Sequence, residues 1–263
     1  MLRLRRALVL LTLIPMLAAA DGSAQTEVRA FYGYAYDLQS GRYLYTEVHR
    51  QRIEGDQWVG GTISYYAPDG SSLGIKRLDF SGDTFVPVYR MALQRPMYVE
   101  AITDNGSMIQ MQRRVGAGGK LEQKPLEQGA DMTADSGFHS YLLAHFGDLM
   151  RGETVHFRMV VAGSLDAFKF RARRIDDTRF EGRDAVRFKV ELDSLFRLLI
   201  DPLELTYDPQ TRDLLEYRGI SNLRDPATGE AYVARIAYYS KPPKEVAQLP
   251  PLELECETSS AVC

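Results

Sequence analysis

Val186-Arg187-Phe188-Lys189-Val190-Glu191-Leu192-Asp193 sets the fold class of this chain. Val186, Phe188, Val190 and Leu192 are apolar, and the residues that alternate with them are all charged. Successive side chains of a strand point to opposite faces, so a period of two puts the apolar set on one face and the charges on the other. That is a half-buried antiparallel strand. The same alternation runs through residues 43–53, 58–66, 85–93, 97–103, 108–115, 155–162, 165–175 and 231–240. The segments are separated by turn chemistry such as Ser40-Gly41, Pro68-Asp69-Gly70, Asp104-Asn105-Gly106, Asp208-Pro209 and Asp225-Pro226. With an opening strand at Tyr32–Tyr36 and another at 75–80, about ten or eleven strands are expected. The fold class is mainly β: a large curved antiparallel sheet, a half-barrel or open barrel, with one mid-chain helix and a short second helix.

Four segments depart from the alternation. Over 137–150, Phe138, Leu142, His145 and Leu149 form one stripe of an amphipathic helix, with Asp135 or Ser136 as its N-cap. The short second helix is placed at 193–200, ending before Asp201-Pro202. Residues 116–135 are polar, contain Gly116, Gly118, Gly119 and Gly129, and are expected to be a mobile loop. The tail, 241–263, carries Pro242, Pro243, Pro250 and Pro251 and is expected to be extended and poorly packed. A single β domain is thus assigned to 25–240.

Composition bounds the function. The 263 residues are 45% hydrophobic and 25% charged, which excludes disordered, collagenous and disulfide-dense classes. The 32 Lys and Arg against 35 Asp and Glu leave a net charge of −3, so nucleic acid is not an expected partner. Arg3, Arg5 and Arg6 precede an apolar run from 7 to 20, followed by small residues at Ala18-Ala19-Ala20 and Gly22-Ser23-Ala24. That order is a secretory signal peptide, assigned to 1–24, with cleavage after Ala20 or Ala24 and a periplasmic or secreted product. No later segment is long and apolar enough to span a bilayer, so the mature chain is not expected to be integral to a membrane. Cys256 and Cys263 are compatible with a small terminal disulfide loop, a bond to another chain, or no bond.

The signal peptide, the long antiparallel run, the helix opening Asp135-Ser136-Gly137-Phe138 and the return to strands resemble secreted bacterial β-rich families of unknown function. In overall pattern the chain is similar to the LolA-like lipoprotein carriers. The resemblance covers about 30–240 as architecture and rests on no diagnostic motif. It implies a curved, unclosed sheet covered by helices, with acyl chains held in the apolar space between them. The chain has fewer helices than the carriers, and no functional residue is carried across.

Candidate chemistry is sparse. Gly70-Ser71-Ser72-Leu73-Gly74 matches the Gly-x-Ser-x-Gly of serine hydrolases, but it lies in a hairpin, not at a strand-to-helix elbow. His49, His139, His145 and His156 lack metal-ligand spacing; His145 is expected in the core, and His49 and His156 on strand faces among charges. No catalytic residue, metal or cofactor is assigned. The Arg-rich segment 151–200 reads as a solvated face of mixed sign, or as a headgroup patch if its Arg converge in space. Tyr32, Tyr34 and Tyr36 share one face and are explained by cross-strand aromatic pairing. Alternatively, they line a concave ligand wall opposite Phe138, Leu142, His145 and Leu149. The function expected is non-catalytic binding of lipid or another apolar molecule. The alternatives are an envelope module that binds proteins through strand edges or the tail, and a hydrolase whose site the sequence does not reveal. Mass spectrometry of the mature protein tests the leader: a chain beginning at Asp21 or Gln25 is expected, and an intact Met1 in the membrane fraction would remove the export assignment.

Overall fold

The alternating stretch becomes strand β12 (Arg183–Leu192), in which Val186, Phe188 and Val190 are fully buried. The computed structural model describes residues 26–55, 57–194 and 201–252. Within them, 15 strands form one large, open, curved sheet. The first arm of the sheet is a continuous meander: β1 (Thr26–Asp37), β2 (Tyr43–Glu54), β3 (Gln57–Tyr66), β4 (Ser72–Asp79), β5 (Val88–Gln94), β6 (Met97–Asn105), β7 (Met108–Val115) and β8 (Glu122–Glu127). The second comprises β9 (Met132–Ala134), β10 (Val155–Val161), β11 (Asp166–Phe180), β12, β13 (Leu203–Tyr207), β14 (Leu214–Arg224) and β15 (Ala231–Ala237). Pairing of β1 with β15 joins the arms, and β9–β10 is the one parallel pair. Hairpin connections make antiparallel order the natural outcome for strands this close in sequence.

Four expectations are corrected. The strand count is 15 because the expected loop 116–135 contains β8 and β9, and because β13 and β14 lie within 203–224. Backbone pairing with β7 carries the polar residues of β8 into the sheet without an apolar alternation of their own, whereas the three residues of β9 pair with β10 and bury Met132 and Ala134 in the core. The helix over 137–150 is two: α1 (Gly137–Ala144) and α2 (Phe146–Met150). His145 breaks it at φ −101°, ψ 14°, and Phe146 takes the buried place assigned to His145. The tail has no helix or strand through Leu252 and is mostly exposed, as expected, with Pro250 its one buried described residue and a few hydrogen bonds tying its end to the sheet. Tyr32 donates to the Pro250 carbonyl at 2.6 Å, and Arg50 donates to the carbonyls of Pro251, at 2.6 Å, and Leu252. The proposed leader, residues 195–200 of the expected second helix, and Cys256 and Cys263 lie outside the described residues.

The helices pack on the inner face of the second arm. Phe138, Tyr141, Leu142, Phe146 and Leu149 form one cluster with Val155 and Phe157 of β10, Val186, Phe188 and Val190 of β12, and Leu205 and Tyr207 of β13. A second cluster fills the first arm, from Ala35 and Tyr45 through Leu78 and Met91 to Ile109 and Met111.

The outer strands of the sheet, β8 and β9, are separated by only residues 128–131. Extended chain advances at most about 3.6 Å per residue, so this link draws the two arms together at one end. The seam is bridged by side chains and backbone. Ala134 donates its N–H to the Phe85 carbonyl at 2.9 Å, and Arg113 donates to the Gly163 carbonyl at 3.0 Å. Lys76 of β4 meets Asp135, just past β9, at 2.5 Å with both side chains at least 95% buried. Gly137 lies so close to Phe85 that a Cβ would sit 2.1 Å from its carbonyl oxygen. Asp135 has φ 46°, a left-handed conformation that Asn also tolerates. Asp135→Asn therefore keeps the backbone while stranding a buried ammonium. It should destabilise the protein by about 3–5 kcal/mol in urea unfolding, with part of the loss recovered on adding Lys76→Met. A loss below 1 kcal/mol would mean that the pair does not hold the seam.

Candidate ligand cavity

Strand parity divides the tyrosines of the first strands between two faces. Phe31, Gly33 and Ala35 of β1 point inward, as do Tyr45, Glu47 and His49 of β2 and Ile63 and Tyr65 of β3, in line with their pairing register. Tyr34 and Tyr36 are therefore outward. Tyr34 stacks on Tyr239 with ring centroids 6.3 Å apart, and Tyr36 lies 4.8 Å beneath the Arg235 guanidinium. The convex face covers them with Tyr239 and the start of the tail, which is why they are buried although they do not face the concave side. Tyr32 shares that outward parity: it stacks on Tyr34 at 6.1 Å and its hydroxyl is held by Pro250, though of the three it alone also borders the cavity.

A cavity of about 1270 Å³ opens between the sheet and α1. This is larger than most small-molecule pockets, which run to roughly 1,000 Å³. One part of its wall is apolar: Phe138 and Leu143 from α1, Met159 from β10, Phe168 and Phe170 from β11, and Leu203 from β13. The other part is polar and comes from both arms: Arg29, Glu47, His49, Tyr65, Tyr89 and Glu100 from the first, and Asp135, Arg183, Glu191, Arg212 and Asp213 from the second. Of the expected helical stripe, only Phe138 lines the cavity. Leu142 and Leu149 are fully buried beneath it against the second arm. His145 is only partly buried; its Nδ1 bonds to Asp148 at 3.0 Å and its ring lies 4.6 Å from that of Tyr141.

The polar part is connected but not neutral throughout. His49, expected among surface charges, is buried: it stacks on Phe31 at 4.7 Å and its Nε2 lies 2.8 Å from Glu47 Oε2. Asp135 accepts from Lys76 on one oxygen and from the Ser136 N–H and hydroxyl on the other. Ser136 is the N-cap of α1 without a side-chain bond to the helix, because its hydroxyl is held by Asp135. Glu100 accepts from the Tyr89 hydroxyl at 3.0 Å and the Tyr98 hydroxyl at 2.6 Å. Burial pushes the Tyr65 and Tyr217 hydroxyls up, and the charges of Glu47 and Asp135 push them further. These phenols stay neutral donors. The signal for this wall was present in β2, where Tyr45, Glu47 and His49 recur at period two, but only an interior cavity makes such a face an inner one.

The remaining candidates take structural places. Gly70 sits in the turn before β4, so Ser72 opens a strand. The Arg-rich segment is laced with pairs, including Arg171–Glu191 at 2.7 Å, Arg179–Asp184 at 3.4 Å and Arg187–Glu204 at 3.5 Å. That is a face of mixed sign. Among the described residues, no group of three or more His, Cys, Asp or Glu could hold a metal, and no helix is long and apolar enough to cross a membrane. Comparison of the chain with protein-family models, with curated proteins and with solved structures found no match.

His139, also on the cavity wall, stacks on Tyr207 at 5.7 Å and shares a 3.0 Å bond with its hydroxyl. Burial holds its imidazole down to about 4 from the ordinary 6.5. The unfolded chain therefore takes up the proton first, and the ring destabilises the fold as pH falls from about 6.5 to about 4. The wild type should lose more melting temperature than His139→Gln between pH 7 and pH 5. Parallel losses in the two proteins would show that the folded ring protonates freely.

Proposed function

We propose that this chain is a non-catalytic binding protein that holds an amphiphile inside its curved sheet, and that it works outside the cytoplasm after removal of residues 1–24. One observation carries the binding proposal: a cavity of about 1270 Å³ whose wall combines an apolar patch from α1, β10, β11 and β13 with polar and charged side chains from both arms. An acyl or other hydrocarbon segment gains by leaving water for the apolar wall. A polar group on the same molecule then meets carboxylates and phenols that already lie in the cavity wall. A purely apolar guest would leave those groups without water, at a cost of about 1–3 kcal/mol for each one unpaired.

The alternative of a protein partner adding to a strand edge has less support. Edge strand β8 carries Pro125, which cannot donate to a new ladder, and three charged residues, devices that discourage pairing. Edge strand β9 is three residues long and buried.

Titration with Nile red, an uncharged apolar fluorophore, tests the binding proposal. Saturable binding at one site per chain is expected. Leu143→Trp, which fills space at the apolar wall, should weaken it about tenfold, whereas Tyr34→Phe on the convex face should leave it unchanged. Absence of saturable binding, or an unaltered affinity in a folded Leu143→Trp variant, would overturn the proposal.

A further inference from the structure

Glu47 is the most exacting group in the cavity wall. Its side chain is 6% exposed, and His49 is its ion-pair partner among the described residues, with no Lys or Arg within that distance. Neutral imidazole can supply the bond that His49 makes, so the carboxylate's charge need not be matched within the protein. A buried, ionised carboxylate without a full positive partner is costly.

The surroundings of Glu47 are aromatic. Tyr65 stands directly opposite it on β3, and Tyr238 packs edge-on against its partner His49 at 5.6 Å. The charge of Glu47 acts on the hydroxyls of Tyr65, Tyr217 and Tyr238, all of which line the cavity. A second observation marks the place as unfinished. Tyr65 is fully buried, and its hydroxyl has only the Asn222 side chain as a hydrogen-bonding neighbour, at poor geometry. Buried phenols nearly always find a partner.

A carboxylate among tyrosine rings and a poorly partnered phenol suit one chemistry better than others. An ammonium ion is attracted both by the carboxylate and by the negative faces of the rings. At this end of the cavity an anionic head would meet Glu47, with Asp135 and Glu100 on the same wall and Lys76 already paired with Asp135. The arginines of the wall include Arg29, paired with Asp213, and Arg183, paired with Asp208.

We propose that the end of the cavity at Glu47 and Tyr65 receives the ammonium head of an amphiphile, with its hydrocarbon part against α1 and β10–β13. This rests on the cavity being the ligand site. Simple alkylammonium ions and zwitterionic lipids share that head chemistry.

Displacement of Nile red at pH 8 by probes of equal chain length, each below its micelle concentration, tests the assignment. The probes are dodecyltrimethylammonium, dodecylphosphocholine, dodecanoate and dodecyl maltoside. Dodecyltrimethylammonium should displace the dye about tenfold more tightly than dodecanoate or the maltoside, the range expected of a desolvated cation–π and carboxylate contact. Glu47→Gln should abolish that preference by weakening dodecyltrimethylammonium, with a smaller effect on the uncharged maltoside. Phosphocholine matching the simple ammonium would identify a zwitterionic head as accepted. Phosphocholine about tenfold weaker would restrict the site to simple cations, and either result supports the assignment. Dodecanoate or the maltoside equalling or exceeding dodecyltrimethylammonium would overturn it while leaving the cavity proposal intact. Failure of Nile red to bind at all would instead remove the cavity proposal. The wild-type comparison among heads needs no variant, so misfolding of Glu47→Gln does not protect the proposal.

Discussion

The ion pair between Lys76 and Asp135 ties together parts of the chain that strand pairing does not join. Lys76 belongs to the middle of the first arm, and Asp135 stands between β9, at the far edge of the second, and the first turn of α1. A sheet of 15 strands in a row would otherwise present two distant edges. Here the pair, the Ala134–Phe85 backbone bond and the close approach of Gly137 to Phe85 hold the edges in register and seat the helix over the curve. The cavity follows from this closure. Its floor is the sheet, its cover is α1, and the pair lies in the same wall as the polar groups proposed to meet a guest's head.

Closing the curve also explains how charged residues come to line an interior. On an open sheet one face is apolar and the other solvated, and Glu47, His49 and Lys76 would belong to the wet side. Once the inner face encloses space, its side chains divide by position. Those beneath α1 and α2 pack as an apolar core, and those of β2 to β6 border a chamber with room for water or ligand. The phenols of Tyr45, Tyr65, Tyr89, Tyr217 and Tyr238 suit that border, since each has an apolar ring and a single polar tip. Their hydroxyl partners differ. Tyr45 shares a 2.6 Å bond with Ser221 and Tyr89 donates to Glu100, while Tyr65 has only Asn222, at poor geometry.

The convex face is finished by different means. Tyr34, Tyr239 and Phe180 stack in succession, and the Arg235 guanidinium lies over Tyr36. Along β1 and β2 the tail adds carbonyl oxygens, which Arg50 and Tyr32 take up. Proline suits such a strand-free strap: its missing N–H leaves no donor unsatisfied, and its carbonyl remains free to accept.

Alternation over 186–193 and its repeats was enough to determine an antiparallel sheet, because a strand buries one face whatever lies beyond it. The stripe over 137–150 likewise determined helix at that place, with Phe138, Leu142 and Leu149 inside. Period alone says which residues share a face, but not which face becomes the interior. That is why Tyr32, Tyr34 and Tyr36 read as a candidate wall, whereas Phe31, Glu47, His49 and Tyr65 hold the inner positions. Local pattern was also silent on β8, whose polar residues form a strand only because β7 supplies a ladder, on β9, too short at three residues to show a period, and on the break at His145, which moves Phe146 into the core. The direction of curvature, the seam at Lys76 and Asp135, and the charged end of the cavity depend on contacts between residues about 60 positions apart. Tertiary structure alone decided those, because such contacts leave no periodic trace along the chain.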